Sequence, residues 1–196
     1  MKPLKDQLRR RLQRFLRLDR PRYDQEIFAP WGWTSRNQGD FNKASKAYLF
    51  RAMASHFATN PAEGHYVEFG CCGAYTMRMA WDYLHRGCPD MRYIAFDSFQ
   101  GFPEVTGVDE GHWQKGDLAM SRGDFLAACV DHGVPEDRLD TVEGWYDQTL
   151  ADPEVRATYQ SQPAAVVYVD VDVYSPARLA LGFVRPMLRR GTIIAF

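Results

Sequence analysis

Several common sequence features are missing from this chain of 196 residues. No apolar run approaches the roughly 20 residues that span a bilayer, so we expect no transmembrane segment. The first residues carry charge but no apolar core followed by small residues, a pattern unlike a secretory signal. The cysteines show no paired metal-binding spacing, so we expect reduced thiols in a cytoplasmic protein. These cysteines are Cys71, Cys72, Cys88 and Cys129.

The overall composition is that of an ordinary folded domain. Hydrophobic residues make up 45% of the chain and charged residues 25%, which argues against wholesale disorder. The length suits one well-buried domain, and the sequence contains no internal repeat or low-complexity stretch. The net charge is only −1, but nine Lys/Arg and two Asp fall within residues 1–22. The remainder of the chain is therefore acidic.

The basic amino-terminal segment predicts an amphipathic helix over residues 4–18. Its apolar residues recur at helical spacing, with arginines on the other face: Leu4, Leu8, Leu12, Phe15 and Leu16. Such a helix can pack on the domain or on a second subunit, touch an anionic membrane, or meet nucleic acid. Nothing aromatic or glycine-rich follows that suits base stacking, so we favour packing and expect no nucleic-acid partner. A homodimer contact is one form of that packing.

Residues 21–40 predict an irregular connection, and from there strands and helices alternate. Predicted strands cover 66–69, 93–96, 139–142, 165–169 and 192–196. Predicted helices cover 43–57, 75–85, 121–132, 147–160 and 176–188, with Pro153 in an early turn or a break. This order is typical of an α/β, Rossmann-like, mostly parallel sheet with helices on both faces. We therefore divide the chain into an amino-terminal region, 1–40, and one domain, 41–196.

The turn after the first predicted strand is rich in small residues. Residues 68–76 read Glu-Phe-Gly-Cys-Cys-Gly-Ala-Tyr-Thr, which lets the backbone approach a ligand and offers free N–H groups at a helix start. The middle glycine of the dinucleotide fingerprint Gly-x-Gly-x-x-Gly is missing. Glu68, which opens the turn, suits a positively charged ligand better than a pyrophosphate. The alternative is a merely tight strand-to-helix turn.

Acidic residues end two further predicted strands. Asp97 follows the second strand, where a carboxylate can accept both hydroxyls of a ribose or simply cap a helix. Asp170 and Asp172 follow the fourth strand and share a face while the chain stays extended. If both face a cleft, they favour a hard cation such as Mg²⁺ or Ca²⁺. The alternative is a solvated acidic turn before a helix.

Four segments resemble the macrocin O-methyltransferase family, over about residues 40–196. They are Glu68-Phe69-Gly70, Asp97-Ser98-Phe99-Gln100-Gly101-Phe102-Pro103-Glu104, Glu143-Gly144-Trp145-Tyr146-Asp147-Gln148-Thr149-Leu150 and Asp170-Val171-Asp172-Val173-Tyr174. The second and third segments are much more specific than the glycine turn. The resemblance implies methyl transfer from S-adenosylmethionine to a hydroxyl of a sugar or another small molecule.

The resemblance also implies roles for individual residues. Glu68 and Gly70 would line the methionine end of the cofactor, in the same turn as Gly73, Tyr75 and Thr76. Asp97 would hold the ribose with Ser98 and Phe99 beside it, and Gly144 and Trp145 would lie near the adenine. Asp170 would be the catalytic Mg²⁺ ligand, with Asp172 as a helper. A Mg²⁺ there would orient the acceptor and lower its hydroxyl pKa.

Two departures from the family pattern affect these expectations. The glycine turn looks about one residue shorter than the usual form. The family continues past the fifth strand with paired aspartates and two more strands, whereas this sequence ends at Phe196. We therefore expect a domain that is incomplete at its carboxy end. Strand 192–196 should be an exposed apolar edge, or be covered by a partner chain.

Two other functions remain open at this stage. A nicotinamide-dependent oxidoreductase uses the same kind of sheet, and a non-catalytic domain of methyltransferase ancestry fits an incomplete chain. No general base is identified, because His112 and His132 fit surface or packing positions better. The loop residues Phe102 and Trp113 are candidates for shaping an acceptor pocket.

Overall fold

The computed structural model of the chain contains one five-stranded sheet in which all neighbouring strands are parallel. The strands are β1 (His65–Phe69), β2 (Tyr93–Asp97), β3 (Leu139–Glu143), β4 (Ala164–Val169) and β5 (Leu188–Ala195). Their spatial order is β3-β2-β1-β4-β5. Strand order thus reverses between β1 and β4, which is where α/β folds of this type bind ligands.

The structure describes residues 38–61, 63–104 and 113–196, with side chains from Ala44 onward. The chain divides into two compact units, Met1–Leu49 and Phe50–Phe196. In the first unit only the beginning of helix α1 (Gln38–Thr59) is described. The predicted helix over 4–18 and His112 lie outside the described residues. Residues 38–40, predicted as part of the connection, belong to α1.

Helices connect the strands. Three connections lead to a neighbouring parallel strand, whereas the connection from β3 to β4 passes over β2 and β1. The helices are α2 (Tyr75–Leu84), α3 (Arg122–His132), α4 (Tyr146–Thr149), α5 (Pro153–Tyr159) and α6 (Tyr174–Val184). The helical region predicted over 147–160, with Pro153 in an early turn or a break, is two helices that are interrupted before Pro153. The Asp152 side chain accepts hydrogen bonds from the N–H groups of Glu154 and Val155 and starts a new helix there, with Pro153 at its first position.

The strands bury alternate side chains on opposite faces of the sheet. On one face, Phe69 and Phe96 stack with centroids 4.9 Å apart, and Phe183 of α6 packs edge-on against Phe96. On the other face, Phe50 of α1 stacks on Tyr168 at 5.6 Å. Burying a side chain of this size contributes about 2–3 kcal/mol. The predicted Rossmann-like α/β fold, with helices on both faces, is confirmed.

Strand β5 begins earlier than predicted. Ala164 pairs with Leu188 and Val166 pairs with Ile193, so four residues of β5 bulge out opposite one residue of β4. The helix predicted over 176–188 ends instead at Val184, before a 3-10 turn, Arg185–Met187. β5 is an edge strand, and Ile194 within it and Phe196 just after it are 39% and 76% exposed, as expected for this segment. In the described part of the chain, no helix is both long and apolar enough to cross a bilayer.

Candidate functional site

The candidate site lies at the carboxyl ends of the strands. Four residues meet along this edge, one from the end of each of four strands. Asp97 is the last residue of β2, and the other three directly follow β1, β3 and β4: Gly70, Gly144 and Asp170. Backbone hydrogen bonds extend past the strands and hold these ends together. The Gly70 N–H donates to the Phe96 carbonyl at 3.1 Å, and the Asp170 N–H donates to the Phe69 carbonyl at 2.9 Å. Four of the predicted positions are therefore neighbours in space.

Gly70 sits at the closest approach of two strand ends. Its φ is +84°, in the left-handed region, and a Cβ built there would overlap the backbone oxygen of Asp170. A side chain is therefore excluded by both conformation and space. The requirement for glycine arises from the meeting of β1 and β4 at the point where strand order reverses.

The turn from Gly70 to α2 is a 3-10 turn, Cys72–Ala74, with two residues in left-handed backbone. Gly73 has a φ of +71° and Ala74 a φ of +54°. Arg78, on the first turn of α2, donates from Nε to the Ala74 carbonyl at 3.0 Å and from Nη2 to the Gly73 carbonyl at 3.4 Å. Tyr75 begins α2 and is half-buried. Sequence reasoning missed Arg78, whose signal is an arginine four residues after the turn.

Glu68 lies beneath this turn and is fully buried. Its Oε2 accepts a hydrogen bond from the Tyr66 hydroxyl at 2.7 Å, and its Oε1 accepts one from the Thr76 hydroxyl. Burial, and then the Glu68 charge, hold the pKa of Tyr66 well above its usual range. The carboxylate therefore ties β1 to α2 from below. Tyr66 was also missed, although alternate strand positions share a face.

Asp97 uses both carboxylate oxygens to shape the neighbouring loops. Oδ2 accepts from the Cys71 N–H at 2.6 Å, and Oδ1 accepts from the Phe99 N–H at 2.7 Å. The side chain is half-buried, and each oxygen has room for a second donor. Burial, followed by the charges of Glu68 and Asp97, raises the pKa of the Cys71 thiol well above its usual value. Cys71 is therefore a packing residue, not a nucleophile.

Ser98 and Phe99 form the first part of the loop after β2. The Ser98 hydroxyl donates to the Gly101 carbonyl at 3.0 Å and accepts from the Gln100 N–H at 3.1 Å. Phe99 is buried at a φ of +54°, with its ring 5.4 Å from the ring of Phe125 in α3. The backbone of Phe99 thus contacts Asp97, while its ring packs on a helix.

The turn after β3 approaches the same edge. Gly144 donates its N–H to the Asp97 carbonyl at 2.9 Å, and at its φ of +138° a Cβ would come within 2.6 Å of Thr149 Oγ1. Trp145 is half-buried just before α4. Tyr146, missed by sequence reasoning, donates its hydroxyl to the Phe96 carbonyl at 2.7 Å. Burial raises the pKa of Tyr146 well above its usual value.

The two aspartates after β4 occupy different environments. Asp170 is half-buried, whereas Asp172 is exposed at a φ of +55°. The chain turns tightly there, closed by a hydrogen bond from the Val173 N–H to the Val171 carbonyl at 2.7 Å. The extended backbone that would put both carboxylates on one face is therefore absent. Within residues 38–61, 63–104 and 113–196, no group of three His, Cys, Asp or Glu side chains is placed to hold a metal ion.

Solved structures share this fold, although no protein-family model and no curated protein sequence matches the chain. CalS11, a calicheamicin methyltransferase, is 24% identical with a TM-score of 0.61 over 88% of this chain and 74% of its own. The O-methyltransferase NovP is 21% identical with a TM-score of 0.62, over 78% of this chain and 64% of its own. An apo form of CalS11, described as a TDP-rhamnose 3'-O-methyltransferase, gives 21% identity and a TM-score of 0.53. At these identities the similarity establishes the fold.

Proposed function

We propose that this chain is an S-adenosylmethionine-dependent O-methyltransferase domain acting on a hydroxyl of a sugar or another small molecule. One observation carries the proposal. Asp97 joins the small-residue turn after β1 to the loop after β2, at the edge where strand order reverses. The similarity of the fold to methyltransferase structures supports this interpretation. A homodimer and a cytoplasmic location stay predictions.

The described residues fit the adenosyl cofactor in three respects. A Cβ at Gly73 would meet nothing within 4 Å, so there is open space beside the turn. Asp97 retains acceptor positions for ribose hydroxyls, and Gly144 with Trp145 lies next to it for the adenine. The turn from Gly70 to Gly73 would face the methionine end.

The buried residues of the predicted site have supporting roles in this proposal. Glu68 is fully buried beneath the turn and accepts hydrogen bonds from the hydroxyls of Tyr66 and Thr76, which hold β1 and α2 in place. Thr76 and Ser98 are themselves buried and fix the turn and the loop through their hydroxyls. These residues therefore act by positioning the backbone that meets the cofactor.

Catalysis in this proposal depends mainly on alignment. When held by Asp97 and the turn from Gly70 to Gly73, the cofactor would supply an electrophilic methyl carbon on its sulfonium. The chain's task is to hold the acceptor oxygen in line with the bond between that carbon and the sulfur, which supplies much of the rate. His132 contacts Asp82 at 3.0 Å, in keeping with the predicted packing role and not with a base at this edge.

The acceptor would lie near the aromatic pair at the base of the loop after β2. Phe102 and Trp113 stack with centroids 4.6 Å apart and an interplanar angle of 8°. Two backbone hydrogen bonds fix this base: Phe102 donates to Asp117 at 3.0 Å, and Gly116 donates to Phe102 at 2.9 Å. Half-buried aromatic surface beside a polar edge is typical of a small-molecule pocket.

Magnesium is a separate part of the hypothesis. Asp170 and Asp172 are its candidate ligands, but the described residues bring no third acidic or imidazole group to them. These residues do not form a metal site by themselves, so no step above depends on a metal ion.

The proposal is tested by calorimetric titration with S-adenosylhomocysteine. We expect one-to-one binding that Asp97→Ala weakens at least about tenfold, since a hydrogen bond to a charged group is lost. Asp140→Ala, a carboxylate on β3 near the opposite edge, is the matched control and should bind like the native chain. Melting curves verify that both variants fold. No binding of S-adenosylhomocysteine, or tight binding of NAD instead, would refute the proposal.

A further inference from the structure

A cavity with both polar and apolar lining lies at the opposite, amino-terminal edge of the sheet. Its volume is about 530 Å³, within the range of small-molecule sites. It is lined by the end of α1, the approach to β1 and the beginnings of β4 and β5: His56, Asn60, Pro61, Glu63, Ala165, Arg189, Arg190, Gly191 and Thr192. β4 alone separates this cavity from the carboxyl edge by about 17 Å, at 3.3 Å per residue. The cavity is therefore distinct from the proposed cofactor site.

The bulge in β5 shapes one wall of this cavity. Residues 189–192 stand out from the ladder between the Leu188 and Ile193 pairings. The bulge is held internally, because the Arg189 N–H donates to Thr192 Oγ1 at 2.9 Å and the Thr192 hydroxyl donates to the Ala164 carbonyl at 2.6 Å. Gly191, at a φ of +96°, permits the reversal. The wall is thus a fixed structure and not a fraying strand end.

The side chains at the cavity favour an anion. Arg189 donates from Nη1 to the carbonyls of Pro186 and Leu188, at 2.8 and 2.9 Å, which fixes the direction of its guanidinium. Arg190 is exposed and makes no ion pair with any residue in the described part of the chain. Among the residues that the structure describes, Glu63 is the only acid in the lining. Two guanidinium groups against one carboxylate give the cavity a positive balance.

The Asn60 side-chain amide lies in the same cavity and offers a neutral hydrogen-bonding group for a ligand. The Asn60 side-chain amide nitrogen donates to the His56 carbonyl at 3.2 Å and to Thr59 Oγ1 at 3.0 Å. Its side-chain oxygen is thereby left as an acceptor for a ligand hydroxyl, and the His56 imidazole also lines the cavity. Guanidinium groups bind phosphoryl oxygens through paired hydrogen bonds.

We propose that this cavity binds a small phosphorylated compound, with its phosphoryl group on Arg189 and Arg190 and a hydroxyl toward Asn60. The site is independent of the cofactor edge, since the two lie at opposite ends of the same strands. Arg190 contributes more to the binding of the phosphoryl group than Arg189 does, because one guanidinium nitrogen of Arg189 already donates hydrogen bonds to two backbone carbonyls.

Calorimetric titration with pyrophosphate at fixed ionic strength tests the proposal on the full chain. We expect saturable binding that Arg190→Gln weakens by about tenfold or more. Arg178→Gln, which removes an equally exposed arginine from α6, is the matched control and should change the affinity less than about twofold. Glu63→Gln should tighten binding, because it removes the one opposing charge.

The outcomes separate a site from diffuse surface charge. Equal weakening by Arg190→Gln and Arg178→Gln, or no saturable binding at millimolar pyrophosphate, would overturn the proposal. S-adenosylhomocysteine titrations of the same variants should match the native chain, so a failure here is distinguishable from a failure of the proposed function.

Discussion

The two edges of the sheet are held in different ways. At the carboxyl edge, Glu68 and Asp97 each use both oxygens to bind neighbouring segments, and Gly70 fills a space that admits no side chain. At the amino edge, the β5 bulge lines a cavity. The ion pair at this edge is partly exposed, at 40% for the Arg92 side chain and 28% for the Asp140 side chain. Hydrogen-bonded carboxylates that are buried or half-buried hold the carboxyl edge together, whereas partly exposed side chains lie at the amino edge.

This difference bears on ligand binding. Loops that are already fixed by buried hydrogen bonds lose little conformational freedom when a ligand arrives. Under the function proposed above, the fixed loops of the carboxyl edge would bind the adenosyl cofactor at little cost in conformational entropy. The amino edge carries exposed arginine side chains, and the anion proposed for it is smaller.

The largest predicted effect concerns the closest backbone approach at the carboxyl edge. Gly70→Ala should lower the free energy of unfolding by about 3 kcal/mol or more, because it adds an atom where the Asp170 carbonyl lies and forces a non-glycine residue into left-handed backbone. Urea denaturation measures the change.

Gly73→Ala is the matched control in the same turn. Its backbone is also left-handed, but a Cβ there meets nothing within 4 Å, so the cost should be about 1 kcal/mol. Equal costs for the two glycines would mean that the approach of β1 to β4 is not the constraint described above.

The buried carboxylate beneath the turn gives the next largest effect. Glu68→Ala should cost about 2 kcal/mol of unfolding free energy, since it leaves the buried hydroxyls of Tyr66 and Thr76 without this acceptor. Glu143→Ala removes an exposed carboxylate from β3 and should cost less than about 0.5 kcal/mol. If the two variants are equally stable, Glu68 does not tie β1 to α2.

His65, at the beginning of β1, makes the amino edge sensitive to pH. Burial lowers the pKa of His65 from 6.5, opposed by a hydrogen bond to Gln162. Its Nδ1 accepts from the Arg92 N–H, which requires the neutral ring. The unfolded chain therefore takes up a proton at higher pH than the native chain does. The stabilisation is present above pH 6.5 and is lost as pH falls below it.

Urea denaturation on both sides of pH 6.5 measures this dependence. His65→Gln should flatten it, and NMR titration of the ring should give a pKa below the ordinary value. A His65 pKa above 6.5 would contradict the assignment.

The smallest effect belongs to the surface pair at the amino edge. Arg92 donates to both oxygens of Asp140, at 2.7 and 3.1 Å, in a partly solvated position. A double-mutant cycle of Arg92→Met and Asp140→Asn should give a coupling free energy below about 1 kcal/mol that falls as salt is added. A coupling free energy as large as the loss of unfolding free energy caused by Glu68→Ala would show that side-chain interactions stabilise both edges equally, which contradicts the difference described above.

Sequence patterns predicted the order and type of the elements well, because β2 and β4 are largely apolar and β1 is rich in aromatic and β-branched residues. These patterns did not predict the features that depend on how strands pair with one another. The β5 bulge follows from the register between Ala164 and Leu188, which no local pattern contains. The break at Pro153 was one of the two predicted possibilities, and the Asp152 cap explains it.

For the site, the sequence indicated which residues gather at the edge but not how they are used. The Glu68 carboxylate hydrogen-bonds to Tyr66 and Thr76, partners that the sequence did not indicate. The Phe99 ring packs on Phe125 of α3, which the sequence did not indicate either. Such roles depend on partners far along the chain, so they require coordinates.

The most direct test of the central claim is an NMR titration of the ¹⁵N-labelled chain with S-adenosylhomocysteine. We predict saturable shifts for the backbone amides of the carboxyl edge: Gly70, Cys71, Gly73, Phe99 and Gly144. The amides of residues 189–192 at the amino edge should stay in place. Unchanged amides at the carboxyl edge, or shifts confined to the amino edge, would contradict the assignment of this edge to the cofactor.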